Sequence, residues 1–305
     1  METEHTQGTD IVSREAHSAE GLMETPDNRE RPLRVNFGSG LHAAAGRPVD
    51  ASAYEQYLGR WSRLFVPAVL AAAAVARGDR VLDVATGPGE AALRALAMVS
   101  PAGRVIGADI SPAMLTAARA RLDNGAFQPV AMDGQALAFS DRSFDAVVCQ
   151  LGLQFFPDPG RGLAEFRRVL QTGGRTAICV VSTPDRAPMW GIFAEALSRH
   201  LPAQRDVLHL TFALADTERL ASLLRMAGFR DVRVQRETRE GIIESFDAYW
   251  SPIEAGTGQL PQAYLALPAS TRRAVREEVE ARLGAFESGG RLVLSVEMLI
   301  GAGQA

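Results

Sequence analysis

The apolar positions of the chain follow two alternating periods. Tyr54, Tyr57, Leu58, Trp61, Leu64 and Phe65 recur at three- and four-residue spacing, which predicts an amphipathic helix running into the Ala-rich stretch before Gly78. Beyond it, short aliphatic runs predict strands at 80–84, 104–108, 127–131, 144–149 and 175–181, with helices between them at 88–99, 112–122 and 161–170. Such alternation builds an α/β, doubly wound, mainly parallel sheet. After Ser182 the pattern loosens into helices at 189–200 and 217–227, a strand at 232–237, a charged helix at 270–286 and a final strand at 291–300. Seven strands result. The expected organisation is a disordered tail over 1–50, a helix and ligand-binding core over 51–185, and sheet completion over 186–305. Two segments of the last part, about 186–215 and 240–289, read as lid insertions.

The tail prediction rests on composition, because 1–50 is rich in Glu, Thr, Ser, Arg, Gly and Pro without sustained apolar periodicity. It holds nine acids and five arginines, which accounts for the whole formal charge of -4 and leaves the body neutral. At 305 residues and 47% hydrophobic, the chain can bury a large core. All its basic residues are arginine, none clustered, so no nucleic-acid partner is expected. Cys149 and Cys179 sit inside apolar runs, which argues against a disulfide framework or a metal cluster and for a reducing, cytoplasmic setting. No apolar stretch reaches the length of about 18 residues that a membrane span needs, and no secretory signal is apparent.

The strongest chemical signal is Val81-Leu82-Asp83-Val84-Ala85-Thr86-Gly87-Pro88-Gly89-Glu90, a strand ending in a Gly-rich turn that opens a helix. Glycines allow a tight turn and close approach to a ligand, and the helix start offers free N–H donors. An ordinary tight turn satisfies the same pattern. So does the dinucleotide fingerprint, through Gly87-x-Gly89-x-x-Ala92 with Asp109 downstream, which keeps a nicotinamide oxidoreductase open. Asp83 weighs against that alternative: a buried carboxylate calls for a positive partner, and a pyrophosphate supplies none. Asp109, ending the second strand, suits a ribose diol, or else a helix N-cap, although Ser111 before Pro112 already fits the capping role. Asp133-Gly134 after the third strand suits an adenine edge, or else a plain turn.

Taken in order, VLDVATGPGE, VIGADISPAML, AMDGQALAFSDRSFDAVVCQLGLQFFPD and FRRVLQTGGR resemble the class I S-adenosylmethionine-dependent methyltransferases, in particular the ubiquinone/menaquinone C-methyltransferase branch. The resemblance runs from about residue 78 to 178. It implies S-adenosylmethionine as cofactor, S-adenosylhomocysteine as product and a Rossmann-like fold. It also implies cofactor roles for Asp83, Ala85, Gly87, Pro88 and Gly89, for Asp109, Ile110 and Met114, for Asp133 and Gly134, and for Gln150. The segment from Tyr54 to Arg63 looks like the N-terminal helix that covers the cofactor in related enzymes, with Tyr54 and Arg60 toward the methionine end; its bland alternative is a packing helix. The long aromatic segment after Ser182 departs from the quinone enzymes, so their substrate is not carried over.

The expected partner is a small-molecule methyl acceptor, partly apolar or aromatic, bound over the strand ends against Trp61, Gln154, Phe155, Trp190, Phe212 and Trp250. Each of these residues equally suits plain packing. Methyl transfer by in-line displacement demands alignment and exclusion of water more than it demands a base. If a base is used, the candidates are His200, His209 and Glu254. A scaffold that binds the cofactor without catalysis stays open, and no heptad seam argues for an oligomer.

Overall fold

The computed structural model describes residues 51–122 and 126–305. The predicted disordered tail lies outside the described residues. The chain begins with a helical rod made of α1 (Ala51–Tyr54), a π-helical turn over Glu55–Gly59, and α2 (Arg60–Ala72). Then come β1 (Arg80–Val84), α3 (Glu90–Val99), β2 (Arg104–Asp109), α4 (Pro112–Arg121), β3 (Phe127–Ala131), β4 (Phe144–Gln150), α5 (Pro159–Val169) and β5 (Leu170–Val181). The connection to the next strand carries α6 (Pro188–His200), α7 (Arg205–Leu208) and α8 (Thr217–Met226). Between β6 (Arg230–Ile243) and the short β7 (Glu287–Ser288) lie α9 (Phe246–Glu254), α10 (Gln259–Leu265) and α11 (Ala269–Leu283), and β8 (Arg291–Gln304) ends the chain.

The sheet runs β3-β2-β1-β4-β5-β8-β6, with β7 paired to β8. The first five strands are parallel; β8 enters antiparallel between β5 and β6. The chain moves outward from β1 to β3, then returns to lay β4 on the other side of β1. That reversal opens a crevice at the C-terminal ends of β1 and β4.

Period-two alternation along the strands feeds two cores. Val81, Ala146 and Val148 face a layer with α2, α3 and α6, while Leu82, Val147 and Cys149 face α5 and α8. Helix starts carry the caps their sequences advertise: the Ser111 hydroxyl accepts from Met114 N (3.4 Å), Asp158 from Arg161 N (2.9 Å) and Asp216 from Arg219 N (2.7 Å). Two strands run well past their apolar stretches. β6 pairs with β8 from Arg230 to Ile243 even though its middle is polar, because it is an edge strand whose backbone needs only one partner. β8 continues through Gly301 and Gly303 because β5 and β6 flank it on both sides. Gly241 lets the edge strand come close to α2, since a Cβ there would stand 2.5 Å from the Trp61 ring. Among the described residues no helix is long and apolar enough to cross a membrane.

Candidate functional site

The Gly-rich turn between β1 and α3 is built from left-handed residues, with φ of 56° at Ala85, 54° at Gly87 and 88° at Gly89. A non-glycine at Ala85 stores strain that the surrounding structure must hold in place. Two carboxylates do the holding. Asp109, at the end of β2, accepts from Gly87 N through Oδ2 and from Ser111 N through Oδ1, both at 2.8 Å. Asp83 lies under the turn, fully buried, and its Oδ2 accepts from the Thr86 hydroxyl (2.6 Å) and Ala92 N (3.1 Å). Its Oδ1 has no partner among the described residues. Burial pushes the Asp83 carboxyl up to about 7, against the pull of those two hydrogen bonds. Asp109 is raised as well, again by burial and against its two backbone donors. At the α3 start, Arg121 ties the turn from outside by reaching Glu90 (2.7 Å) and the Pro88 carbonyl (3.1 Å).

A cavity of about 310 Å³ opens over these strand ends. Of the residues expected around a cofactor, Tyr54, Ala85, Gly87, Asp109, Ile110, Met114, Asp133, Gly134 and Gln150 line it. Gln154, Phe155 and Trp190, expected toward an acceptor, line it too. Gln154 and Phe155 sit on a 3₁₀ turn just after β4. Asp133 Oδ1 accepts from Gln135 N (2.8 Å), and the Gln135 side chain fastens this loop to the α5 start by accepting from Asp158 N (2.8 Å).

Several expected residues lie elsewhere. Arg60 does not reach the cavity wall: the π turn inserts an extra residue before α2 and aims Tyr54, Tyr57 and Leu58 inward instead. Asp83, Pro88 and Gly89 support the turn from beneath or behind rather than facing the cavity. Trp61, Phe212 and Trp250 are packing residues. Trp61 meets Trp190 edge to face at 6.4 Å, Trp250 meets Phe193 at 5.6 Å and Tyr264 at 5.2 Å, and Phe212 rests 6.0 Å from the His209 ring. The three proposed bases are also off the wall. His200 is exposed at the end of α6. His209 Nε2 lies 3.2 Å from the Ser198 hydroxyl, and its pKa is lowered by burial and then by Arg205. Glu254 accepts from Trp250 Nε1 (3.2 Å) and faces Arg276, outside the cavity. The titratable side chains on the wall are Tyr54, Tyr57, Asp109 and Asp133, and burial holds both tyrosine hydroxyls far above their ordinary range.

Wall residues that sequence reasoning missed include Tyr57, Leu58, Gln135, Gly258, Gln259 and Leu260. The first two were legible as a helical face whose direction the π turn decided. Gln135 follows the Asp133-Gly134 pair and carried a local signal. Residues 258–260 carried none, since the Gly258 turn and the first residues of a short helix read as a connector.

The family model for the ubiE/COQ5 methyltransferase family matches residues 59–249, more than half of the chain. The chain belongs to that family. It is an S-adenosylmethionine-dependent methyltransferase with a class I fold. Among curated relatives, a demethylmenaquinone methyltransferase of Clavibacter sepedonicus is 34% identical over 194 residues, covering 59% of this chain and 77% of the relative. A ubiquinone/menaquinone biosynthesis C-methyltransferase of Francisella philomiragia is 29% identical over 191 residues, covering 58% and 76%. Among solved structures, phosphoethanolamine N-methyltransferase 2 of Haemonchus contortus in complex with S-adenosyl-L-methionine superposes with a TM-score of 0.54 at 18% identity, covering 88% of this chain and 60% of that one. The YcgJ protein of Bacillus subtilis gives 0.52 at 19% identity, covering 80% and 98%. Both structural likenesses speak for the fold. The matched span covers β1 to β6, with the Gly-rich turn and the β4 end, while β8 and Tyr54, Tyr57, Leu58, Gly258, Gln259 and Leu260 of the cavity wall fall outside it.

Proposed function

We propose that the cavity seats S-adenosylmethionine along the Gly-rich turn and a small, partly apolar or aromatic acceptor against Trp190 and Phe155. The observation that carries this reading is the meeting, on one wall, of the Asp109 carboxylate, the glycine turn and a mainly apolar lining. The residues present fit such a donor. Gly87 suits the turn by its φ of 54°, which L side chains rarely adopt, and its backbone lies beside the Tyr54 hydroxyl. Each Asp109 oxygen accepts one backbone donor and keeps a lone pair for a ribose hydroxyl. Ile110 and Met114 offer apolar surface beside it, with Asp133 placed for an adenine amino group. The unpartnered oxygen of Asp83, one layer below, makes the turn electrostatically receptive to a cationic methionine portion.

When bound, the donor supplies a methyl group on a sulfonium sulfur, a good leaving group, and S-adenosylhomocysteine is the product. The protein's part is alignment and dryness. Tyr54, Tyr57 and Leu58 roof the cavity from the N-terminal helix, and Gln150 anchors β4 to α2 by donating from Nε2 to the Ser62 carbonyl (3.2 Å). Among the described residues no histidine stands on the wall, and the buried tyrosines keep their protons, so the acceptor's attacking atom must be nucleophilic as it binds. The names of the relatives, which point to quinone precursors, support an aromatic acceptor here. Calorimetric titration with S-adenosylmethionine, S-adenosylhomocysteine and NAD tests the reading. Micromolar binding of the two adenosyl ligands, abolished in Asp109→Ala, supports it; binding of NAD alone refutes it.

A further inference from the structure

Strand β6 leaves one long edge open. It stands last in the sheet, and among the described residues it pairs with β8 alone, in an unbroken ladder of eleven residues from Arg233 to Ile243. Such an edge presents a row of backbone donors and acceptors to any further strand, and proteins blunt it with prolines, bulges or charges. β6 has no proline, and its register shift lies between Arg230 and Arg233, at one end of that ladder. It is charged, but with both signs: Arg233, Arg236, Glu237, Arg239 and Glu240. Successive side chains point to opposite faces. On the odd-numbered face Gly241 lies against the Trp61 ring, the Arg239 guanidinium stands 5.7 Å over the Phe65 ring, and Ile243 is buried. On the even-numbered face Val234 packs on the second core, while Arg236, Thr238, Glu240 and Ile242 are exposed, Ile242 by 49%.

We propose that the chain forms a two-fold homodimer in which the β6 edges of two copies pair antiparallel about Thr238, carrying the sheet across the interface. In an antiparallel sheet only every other residue of β6 points its N–H and C=O away from β8, so two copies pair residues of the same parity and the axis passes through a residue. The charges choose which. With the axis at Thr238, the midpoint of the ladder, Arg236 faces Glu240 of the second copy, Glu237 faces Arg239, and the exposed Ile242 faces Val234, each of them twice. An axis at Arg236, Glu237, Arg239 or Glu240 sets a charge opposite itself, which is destabilising. An axis at Gln235 runs into the irregular end of the strand and leaves Ile242 uncovered. The arginines concerned are already held within the chain, Arg236 by Glu297 (3.2 Å) and Arg239 by Glu237 (2.8 Å), so little further ordering is needed for them to meet the second copy. No residue of the cavity takes part, and the inference stands apart from the methyltransferase reading.

The test is sedimentation equilibrium on the full chain over roughly 1 to 100 μM, where the wild type reaches the mass of two chains. Glu240→Arg places an arginine opposite Arg236 at both ends of the pair and raises the dimer Kd about tenfold or more, with the far-ultraviolet circular dichroism spectrum unchanged. The register is read by cross-linking. Directly opposed residues of antiparallel strands have Cα atoms about 4.5 to 5.5 Å apart, which suits a disulfide, so Thr238→Cys becomes a covalent dimer under mild oxidation and Gln235→Cys does not. The native Cys149 and Cys179 are buried and do not compete. A wild type that stays monomeric across the whole range overturns the proposal, as it would if another part of the chain covered the edge. So does a Glu240→Arg dimer as strong as the wild type, which would place the interface elsewhere, and so does cross-linking through Gln235→Cys in preference to Thr238→Cys.

Discussion

Asp83→Asn isolates the charge stored under the Gly-rich turn. The folded carboxyl holds its proton up to about pH 7, because burial outweighs its two donors, whereas the unfolded one releases it near 4. Between those limits the native state binds the extra proton, so stability falls as pH rises through the window and is flat above it. A separation of about three pH units is worth on the order of 4 kcal/mol in all, of which about 2 to 3 kcal/mol accrues between pH 5 and 8. Asparagine mimics the protonated carboxyl: its oxygen accepts from Thr86 and Ala92, and its amide takes the place of the unpartnered oxygen. Urea denaturation at pH 5, 6, 7 and 8 should therefore show the wild type losing about 2 to 3 kcal/mol more than Asp83→Asn across the series. Asp109 is shifted the same way, but it is present in both proteins and cancels from the comparison. Parallel profiles would mean that Asp83 is already ionised in the free protein across this range, and the account of a carboxyl held protonated by burial would fail.

Other consequences follow from the same geometry. Asp109→Ala removes both the anchor of Gly87 and the lone pairs offered to a ribose, worth about 1.5 to 3 kcal/mol for each charged hydrogen bond; S-adenosylhomocysteine affinity measured by calorimetry should drop by roughly a hundredfold or more, and less in Asp109→Asn. His200→Ala, His209→Ala and Glu254→Gln should each leave kcat/KM within about twofold once an acceptor is in hand, since none faces the cavity; a hundredfold loss of kcat in any one of them would show that the cavity is not where the chemistry occurs. Gly241→Ala drives a methyl group into the buried Trp61 ring and should cost about 1 to 3 kcal/mol in thermal unfolding, whereas an unchanged Tm would mean that β6 and α2 separate easily.

The sheet was legible wherever a strand is buried on both faces. β1 and β4 read directly as Val-Leu-Asp-Val and Ala-Val-Val-Cys because each is covered by helices on either side. β6 was only half legible: an edge strand with water on much of its surface keeps no apolar alternation past Glu237, and its extent is set by β8 rather than by its own residues. The part of the site on the turns after β1, β2 and β3 was legible because glycines and acids at fixed offsets are needed there for backbone reasons. Asp83 was recognised as buried, but its place beneath the turn depended on Thr86 and Ala92 closing over it. The aromatic candidates failed for a different reason. Trp61, Phe212 and Trp250 are large enough to fill a core or line a pocket, and their spacing is the same in either case.

The position of the unexpected wall residues follows from strand direction. β8 is antiparallel to both β5 and β6, so β6 runs the same way as β5 and ends on the cavity edge of the sheet. Both long connections, from β5 to β6 and from β6 to β7, therefore leave the sheet beside the cavity. The first supplies Trp190 and Thr211 and the second supplies Gly258, Gln259 and Leu260. Tyr249 binds the two together by donating to the Met189 carbonyl at 2.6 Å, and the Trp250, Phe193 and Tyr264 rings pack between them. Residues inserted into either connection are thus delivered over the strand ends without disturbing the Gly-rich turn or Asp109, which are held by β1 and β2. A chain built this way can keep the Gly-rich turn fixed while the opposite wall of the cavity changes, and that wall here is supplied by the two connections that follow β5 and β6.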